Sequence, residues 1–226
     1  MNGIPDILRV HGGRAHGSSW TKVISLLQGE RLNATAVQLP LTSADEDVAT
    51  VKQAIALEDG PVLLVGHSYG GVVVTEAGVD PKVVGLVYVA AFAPDIGESV
   101  SSLASSAPPA PLASEIRPDA NGSLKLTRSG VLENFAQDLS DVEKKTLFAV
   151  QAPTSGNVLG RAVPSAAWRS KPSWYIVATN DRAIPPSLER TMAEKINAHT
   201  ISVAASHAAM VSRPQRVASL IIEAAR

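Results

Sequence analysis

The chain has 226 residues, 45% of them apolar and 18% charged, with a net charge of −1 and no cysteine. That profile suits one folded α/β domain with a sizeable core and excludes a disordered tract. No basic block marks a nucleic-acid partner; without cysteine there are no disulfides, thiol nucleophiles or thiolate-held metals, in keeping with a reducing, cytoplasmic setting.

Ile7 to Val10 reads as a first strand ending at His11-Gly12-Gly13. Ser18 or Ser19 then caps a helix with Trp20, Val23, Ile24 and Leu27 on one face. Ala34 to Leu39 reads as a second strand, stopped by Pro40. Ser43-Ala44-Asp45-Glu46 is a capping-box signature for a helix that buries Val48, Val51 and Ile55. Gly60-Pro61 leads into the apolar run Val62 to Val65, a strand buried on both faces. Val72-Val73-Val74 favours strand by propensity; it is expected in a helix, because a chain leaving a tight turn at the sheet edge must run back along the sheet. Val83 to Ala90 is a further buried strand, and the apolar run on to Ala93 is too short to span a bilayer, so no membrane contact is expected. Strands alternating with helices imply right-handed crossovers and a mostly parallel sheet of six strands or slightly more.

That rhythm breaks after Phe92. Residues 93–171 are rich in Ser, Ala and Pro, and their clear helix signal is Ser140-Asp141-Val142-Glu143 ahead of Leu147 and Phe148. So long a stretch is improbable as bare loop. It is expected to form an inserted lid of short helices, with residues 1–92 and 172–226 as the core. Trp174 to Thr179 resumes the strands, Ser187 opens a helix with Leu188, Met192 and Ile196, and Thr200 to Ala204 is the last strand. A final helix carries Pro214 in its first turn.

The chemistry gathers at Gly66-His67-Ser68-Tyr69-Gly70-Gly71. Gly-x-Ser-x-Gly after a strand and before a helix is the spacing of a nucleophile elbow, whose tight turn leaves little room for flanking side chains. Ligands of open parallel sheets bind beyond the carboxyl ends of the strands. Ser68, Asp181 and His207 each follow a predicted strand, in the chain order Ser, Asp, His. A serine hydroxyl needs a base, and that base needs a partner to hold its tautomer. His207 is the candidate base and Asp181 its orienter. His11 and His16 compete for the first role and Asp95 for the second; His67 is expected to point away from the pocket, and His199 lies at the far edge. Oxyanion donors are expected at the Tyr69 amide and at Gly13 in the first loop, although that glycine pair equally suits a loop needing positive φ. The histidines offer no convincing metal site, and neither a dinucleotide fingerprint nor a P-loop is present.

With these residues, and with Val87-Tyr88-Val89-Ala90-Ala91-Phe92-Ala93-Pro94, the chain resembles the α/β-hydrolase superfamily over nearly its whole length. Within it, the closest likeness is to small bacterial carboxylesterases related to the plant methylesterase and hydroxynitrile lyase group. The resemblance implies a Ser68-His207-Asp181 triad, an oxyanion hole at Gly13 and Tyr69, a helical lid and no cofactor. Gly13 replaces the alanine usual in bacterial relatives, and His16 replaces an aspartate. Gly12 and Ala208 stand where the lyases carry Thr and Lys, which argues against cyanide chemistry. The expectation is a serine hydrolase of small-molecule carboxylic esters, monomeric or homodimeric, with a pocket drawn from His16, Phe92, Phe135, Phe148 and Trp168. Lactone hydrolysis, perhydrolysis, or a ligand-binding receptor on the same fold are the alternatives.

Overall fold

The computed structural model describes residues 3–226. Strand β1 (Asp6–Val10) leads through a 3-10 turn (Gly17–Trp20) into helix α1 (Thr21–Gly29). The expected cap at Ser18 or Ser19 is corrected here. The His16 imidazole accepts from the Ser18 amide at 3.2 Å and caps the turn, and α1 begins only at Thr21. Strand β2 (Ala34–Val37) stops short of Leu39, because the Leu39 amide donates to His11 Nε2 at 3.0 Å instead of joining the sheet. Helix α2 (Ala44–Leu57) is capped by Ser43, which accepts from the Glu46 amide at 3.2 Å. The reciprocal half of the expected capping box does not form, since the Glu46 carboxylate takes the Thr42 hydroxyl.

Strand β3 (Val62–Ser68) passes directly into helix α3 (Gly70–Ala77), and strand β4 (Val83–Ala91) follows. The three valines of α3 are helical and fully packed, as are all its residues. The small propensity cost of β-branched residues is outweighed by burial of the whole helix.

The inserted segment contains helix α4 (Val100–Ser105), strands β5 (Ile116–Pro118) and β6 (Ser123–Leu126), a π-helical turn (Gly130–Phe135), helix α5 (Asp141–Ala149) and strand β7 (Thr154–Ser155). Beside the expected short helices, β5, β6 and β7 form a three-stranded antiparallel sheet. With three, four and two residues, these strands are too short to leave an alternating pattern in the sequence. Ser140 and Glu143 do form a full capping box at α5. The segment is fastened to the core by Arg161, which pairs with Glu76 of α3 and with Asp45 of α2. Lys22 of α1 adds a 2.5 Å ion pair to Glu143 of α5.

The core closes with β8 (Ser173–Ala178), α6 (Pro186–Lys195), β9 (His199–Val203), α7 (Ala209–Ser212) and α8 (Pro214–Ala224). Helix α6 starts at Pro186 with Pro185 ahead of it, so Ser187 does not cap it. Strand β9 lies one residue earlier than expected, ended by a tight turn in which the Ala205 amide donates to the Val203 carbonyl at 2.8 Å. The main sheet has the order β2-β1-β3-β4-β8-β9 with every pair parallel.

Each face of the sheet carries its own apolar core. Leu64, Val51, Val73 and Leu188 pack under α2, α3 and α6 on one side. Leu63, Trp20, Val23 and Ile221 pack under α1 and α8 on the other. Because β3 lies inside the sheet, between β1 and β4, its carboxyl end is framed on both sides by neighbouring strand ends and their loops.

Arg161 is expected to anchor the inserted segment energetically as well as geometrically. Replacing it by Met leaves the nearly buried Glu76 carboxylate, 9% exposed, without its partner. The expected loss is about 1–3 kcal/mol of unfolding free energy, read from denaturant midpoints; an unchanged midpoint would contradict this.

Candidate active site

Ser68 ends β3 with φ at 54°, a left-handed backbone that a side-chain-bearing residue adopts only under constraint. The constraint is close packing. A Cβ on Gly66 would lie 2.7 Å from the Gly70 carbonyl oxygen, so strand and helix approach too closely for any larger residue. Gly12 in the first loop is needed for a similar reason, since its Cβ would lie 2.7 Å from Ser68 Cβ. The left-handed residue of that loop is Arg14, with φ at 58°, rather than either glycine.

His207 lies beyond β9, buried, with Nδ1 2.5 Å from Asp181 Oδ2. The other Asp181 oxygen accepts the amides of Ala183 and Ile184 at 2.6 and 2.9 Å. Asp181 is therefore oriented from both sides, and Nε2 is the imidazole nitrogen left to face outward. Asp95, the rival acid, is taken up by a two-pronged pair with Arg169, both contacts at 2.8 Å.

The competing histidines are occupied elsewhere. His11 Nδ1–H donates to the Gly12 carbonyl at 2.9 Å while Nε2 accepts from Leu39, so both ring nitrogens are used. Burial, and to a lesser degree His16, holds the His11 pKa below its usual value against the opposing pull of the Gly12 carbonyl. The His67 ring lies 4.7 Å from the His207 ring. Its Nε2–H donates to the backbone carbonyl of His207 at 2.9 Å, and burial keeps it neutral, well below the usual imidazole range. His199 is exposed at the start of β9, 3.3 Å from Glu223.

Ser68, His207, Gly13 and Tyr69 line one cavity of about 600 Å³. That size suits a small organic molecule. Its walls are mostly apolar, and Phe92 and Phe135 belong to them, with the Phe135 ring 5.0 Å from His207 in an edge-to-face arrangement. Three expected pocket residues lie elsewhere. His16 is the exposed cap described above. Phe148 packs on the outer side of the second core, with Arg128 above its ring. Trp168 turns its Nε1–H to the Pro94 carbonyl at 2.8 Å and packs against the first core.

Two residues that sequence reasoning did not single out also shape the site. Asp47 of α2, fully buried, accepts the Tyr69 hydroxyl and the Leu41 amide, each at 2.8 Å, and so fixes the Tyr69 side chain. Its only sequence signal was an acidic first helical turn. Thr154 of β7 accepts the Arg14 amide on its hydroxyl at 2.7 Å and packs against Gly13, and no local pattern announces it.

A family model described as the alpha/beta hydrolase family matches residues 8–220. The chain is 28% identical to an alpha/beta hydrolase, nvfD, of Aspergillus novofumigatus, covering 98% of this chain and 96% of that protein. It is also 28% identical to methylesterase 7 of Arabidopsis thaliana, covering 96% and 94%. Among solved structures, a pyrethroid hydrolase from Sphingobium faniae JZ-2 superposes with a TM-score of 0.85 at 24% identity, covering 99% of this chain and 98% of that one. Among the described residues, no helix is long and apolar enough to cross a membrane.

His11 and His67 make a pH dependence of stability. Both have folded pKa values below the unfolded value of 6.5, so below that pH the unfolded chain binds protons that the folded chain does not. The contribution of these two histidines to stability is therefore expected to fall as pH drops from 7 to 5, by up to about 1.4 kcal/mol per histidine per pH unit, while the Glu189 carboxyl, its pKa raised by burial, acts in the opposite sense. Denaturant titrations at pH 7, 6 and 5 of the wild type against His11→Gln isolate the His11 share, and an unchanged difference between the two proteins across that range would contradict it.

Proposed function

Because the chain belongs to the alpha/beta hydrolase family, we propose that it hydrolyses carboxylic esters of small molecules through an acyl-enzyme on Ser68. The observation that carries this reading is the buried His207–Asp181 pair, 2.5 Å apart, opening onto the same cavity as the strained Ser68. Relatives over nearly the whole chain include a methylesterase, which supports an ester as the bond broken.

Ser68 Oγ attacks the ester carbonyl while His207 Nε2 takes its proton. Asp181, bonded to Nδ1–H, holds the tautomer that makes Nε2 the base and stabilises the imidazolium that forms. The carbonyl oxygen becomes an oxyanion, met by the Tyr69 amide at the head of α3 and the Gly13 amide of the first loop. Collapse expels the alcohol, which receives the proton back from His207. A water then repeats the sequence: His207 takes its proton, the hydroxide equivalent attacks the acyl group, and Ser68 leaves with the proton returned.

Residues 93–171 act in this reading as the lid. Helix α4 and the Pro108-Pro109-Ala110 turn wall the cavity, so they would set which acyl and alcohol groups enter. The apolar lining favours esters with hydrocarbon substituents over strongly polar ones.

Turnover of p-nitrophenyl butyrate provides the test. Ser68→Ala is expected to lose at least about a thousandfold in kcat, and a fluorophosphonate should add covalently to Ser68 in the wild type. Retained activity in that variant would refute the mechanism. Asp181→Asn is expected to lose about a hundred- to ten-thousandfold in kcat, whereas Asp95→Asn should stay within about twofold because its partner is Arg169. The reverse ranking would move the acid to Asp95.

A further inference from the structure

One charged side chain in the cavity wall takes no part in the mechanism above. Arg14 lies between the cavity that holds Ser68 and His207 and a narrow cleft beside His16 and Gln151, lining both, and one terminal nitrogen of its guanidinium, Nη1, is buried with no hydrogen-bond partner among the described residues. Among the described residues no carboxylate pairs with it, although Arg161 holds two and Arg169 one. The cavity lining contains neither Asp nor Glu. Burial pulls the Arg14 pKa down to about 10, which still leaves the group cationic at neutral pH.

A cation with a buried, unpartnered nitrogen is costly, and a protein retains one most readily where a ligand brings the opposite charge. The backbone is arranged to keep Arg14 in place. Its φ of 58° is one that a non-glycine residue adopts under constraint, and its amide is held by the Thr154 hydroxyl at 2.7 Å. Arg9 is a second buried arginine without partners, but it sits within β1 inside the sheet, whereas Arg14 borders the cavity.

We propose that Arg14 reads a carboxylate on the substrate, so that the preferred esters are half-esters of dicarboxylic acids: a hydrolysable ester at one end and a free carboxylate at the other. This deepens the esterase reading of Ser68, His207 and Asp181 and rests on it. Hydrolysis consumes one water and releases the alcohol, a dicarboxylate and one proton, with no other reactant. The planar guanidinium fork matches a carboxylate in two parallel hydrogen bonds, which an ammonium group does not reproduce. The apolar lining would take the methylene chain between the two ends.

The test compares monoethyl adipate with its isosteric neutral carboxamide, ethyl 5-carbamoylpentanoate, by ethanol release. Wild type is expected to favour the carboxylate by about ten- to a hundredfold in kcat/KM, the range of a buried charge-assisted contact. Arg14→Met should bring that ratio to near one, and Arg14→Lys should retain part of it. The wild-type ratio alone is decisive if a variant fails to fold: a value of one or below overturns the proposal, as does a preference that survives in Arg14→Met. If neither ethyl ester is turned over, competitive inhibition of p-nitrophenyl butyrate hydrolysis by adipate against adipamide reads the same preference. Hydrolysis of the carboxamide ester without a carboxylate preference removes the Arg14 proposal and leaves the esterase standing. Absence of any ester turnover, together with a Ser68 that does not react with fluorophosphonate, removes both.

Discussion

The left-handed backbone at Ser68 is the constraint from which the site is built. A non-glycine residue at φ 54° costs on the order of 1–2 kcal/mol, so the surroundings must hold it there. They do so by packing strand against helix at glycine distances, with the first loop pressed on Ser68 at Gly12. The Ser68 carbonyl, turned out of the helix, accepts the Phe92 amide at 3.1 Å, which ties the end of β4 to the same turn. One strained residue thus fixes the relative positions of β1, β3, α3 and β4 at the sheet edge. Burial of every residue of α3 and of the apolar run of β3 offsets the strain many times over.

His207 is positioned by a different device, a set of contacts from separate elements to consecutive residues. The Ser206 amide donates to Asp138 at 3.0 Å, and the His207 carbonyl accepts from His67 at 2.9 Å. The Ala208 amide donates to the Phe135 carbonyl at 3.3 Å. Asp181 then needs only to orient the ring, not to place the loop. His67 belongs to β3 itself, one residue before Ser68, so the strand that carries the serine also carries the support for the histidine.

The features legible in the sequence are those with local signatures. The Gly66-x-Ser68-x-Gly70 spacing, the apolar run before it and each of the three strand ends taken singly depend on residues within a few positions of one another. So does the Ser140–Glu143 capping box, which the structure forms in full. What escaped notice depends on contacts between distant residues. Thr154 meets Arg14 across 140 positions, and Asp47 meets Tyr69 across 22, with no periodicity to reveal either. Phe148 and Trp168 are pocket candidates by sequence, although apolar residues of this kind are more often plain core. In the structure Phe148 packs against the second core and Trp168 against the first. Composition distinguishes buried from exposed far better than it distinguishes one buried surface from another.

The core and the inserted segment therefore divide the work unequally but not independently. Ser68 at the end of β3 and His207 beyond β9 share one cavity with helix α4 of the inserted segment and with Ile184 and Leu188 of the core. The join between segment and core is Thr154. Its hydroxyl holds the Arg14 amide and its methyl group lies against Gly13, while the next residue, Ser155, donates its amide to Leu41 at 2.8 Å. Leu41 is in turn bonded through its own amide to Asp47, the residue that fixes Tyr69. A short run of contacts thus links strand β7 to both proposed oxyanion donors and to the one fixed positive charge in the cavity wall. Changes in the inserted segment would reach the reacting atoms through this join, even where they leave the serine, histidine and aspartate untouched.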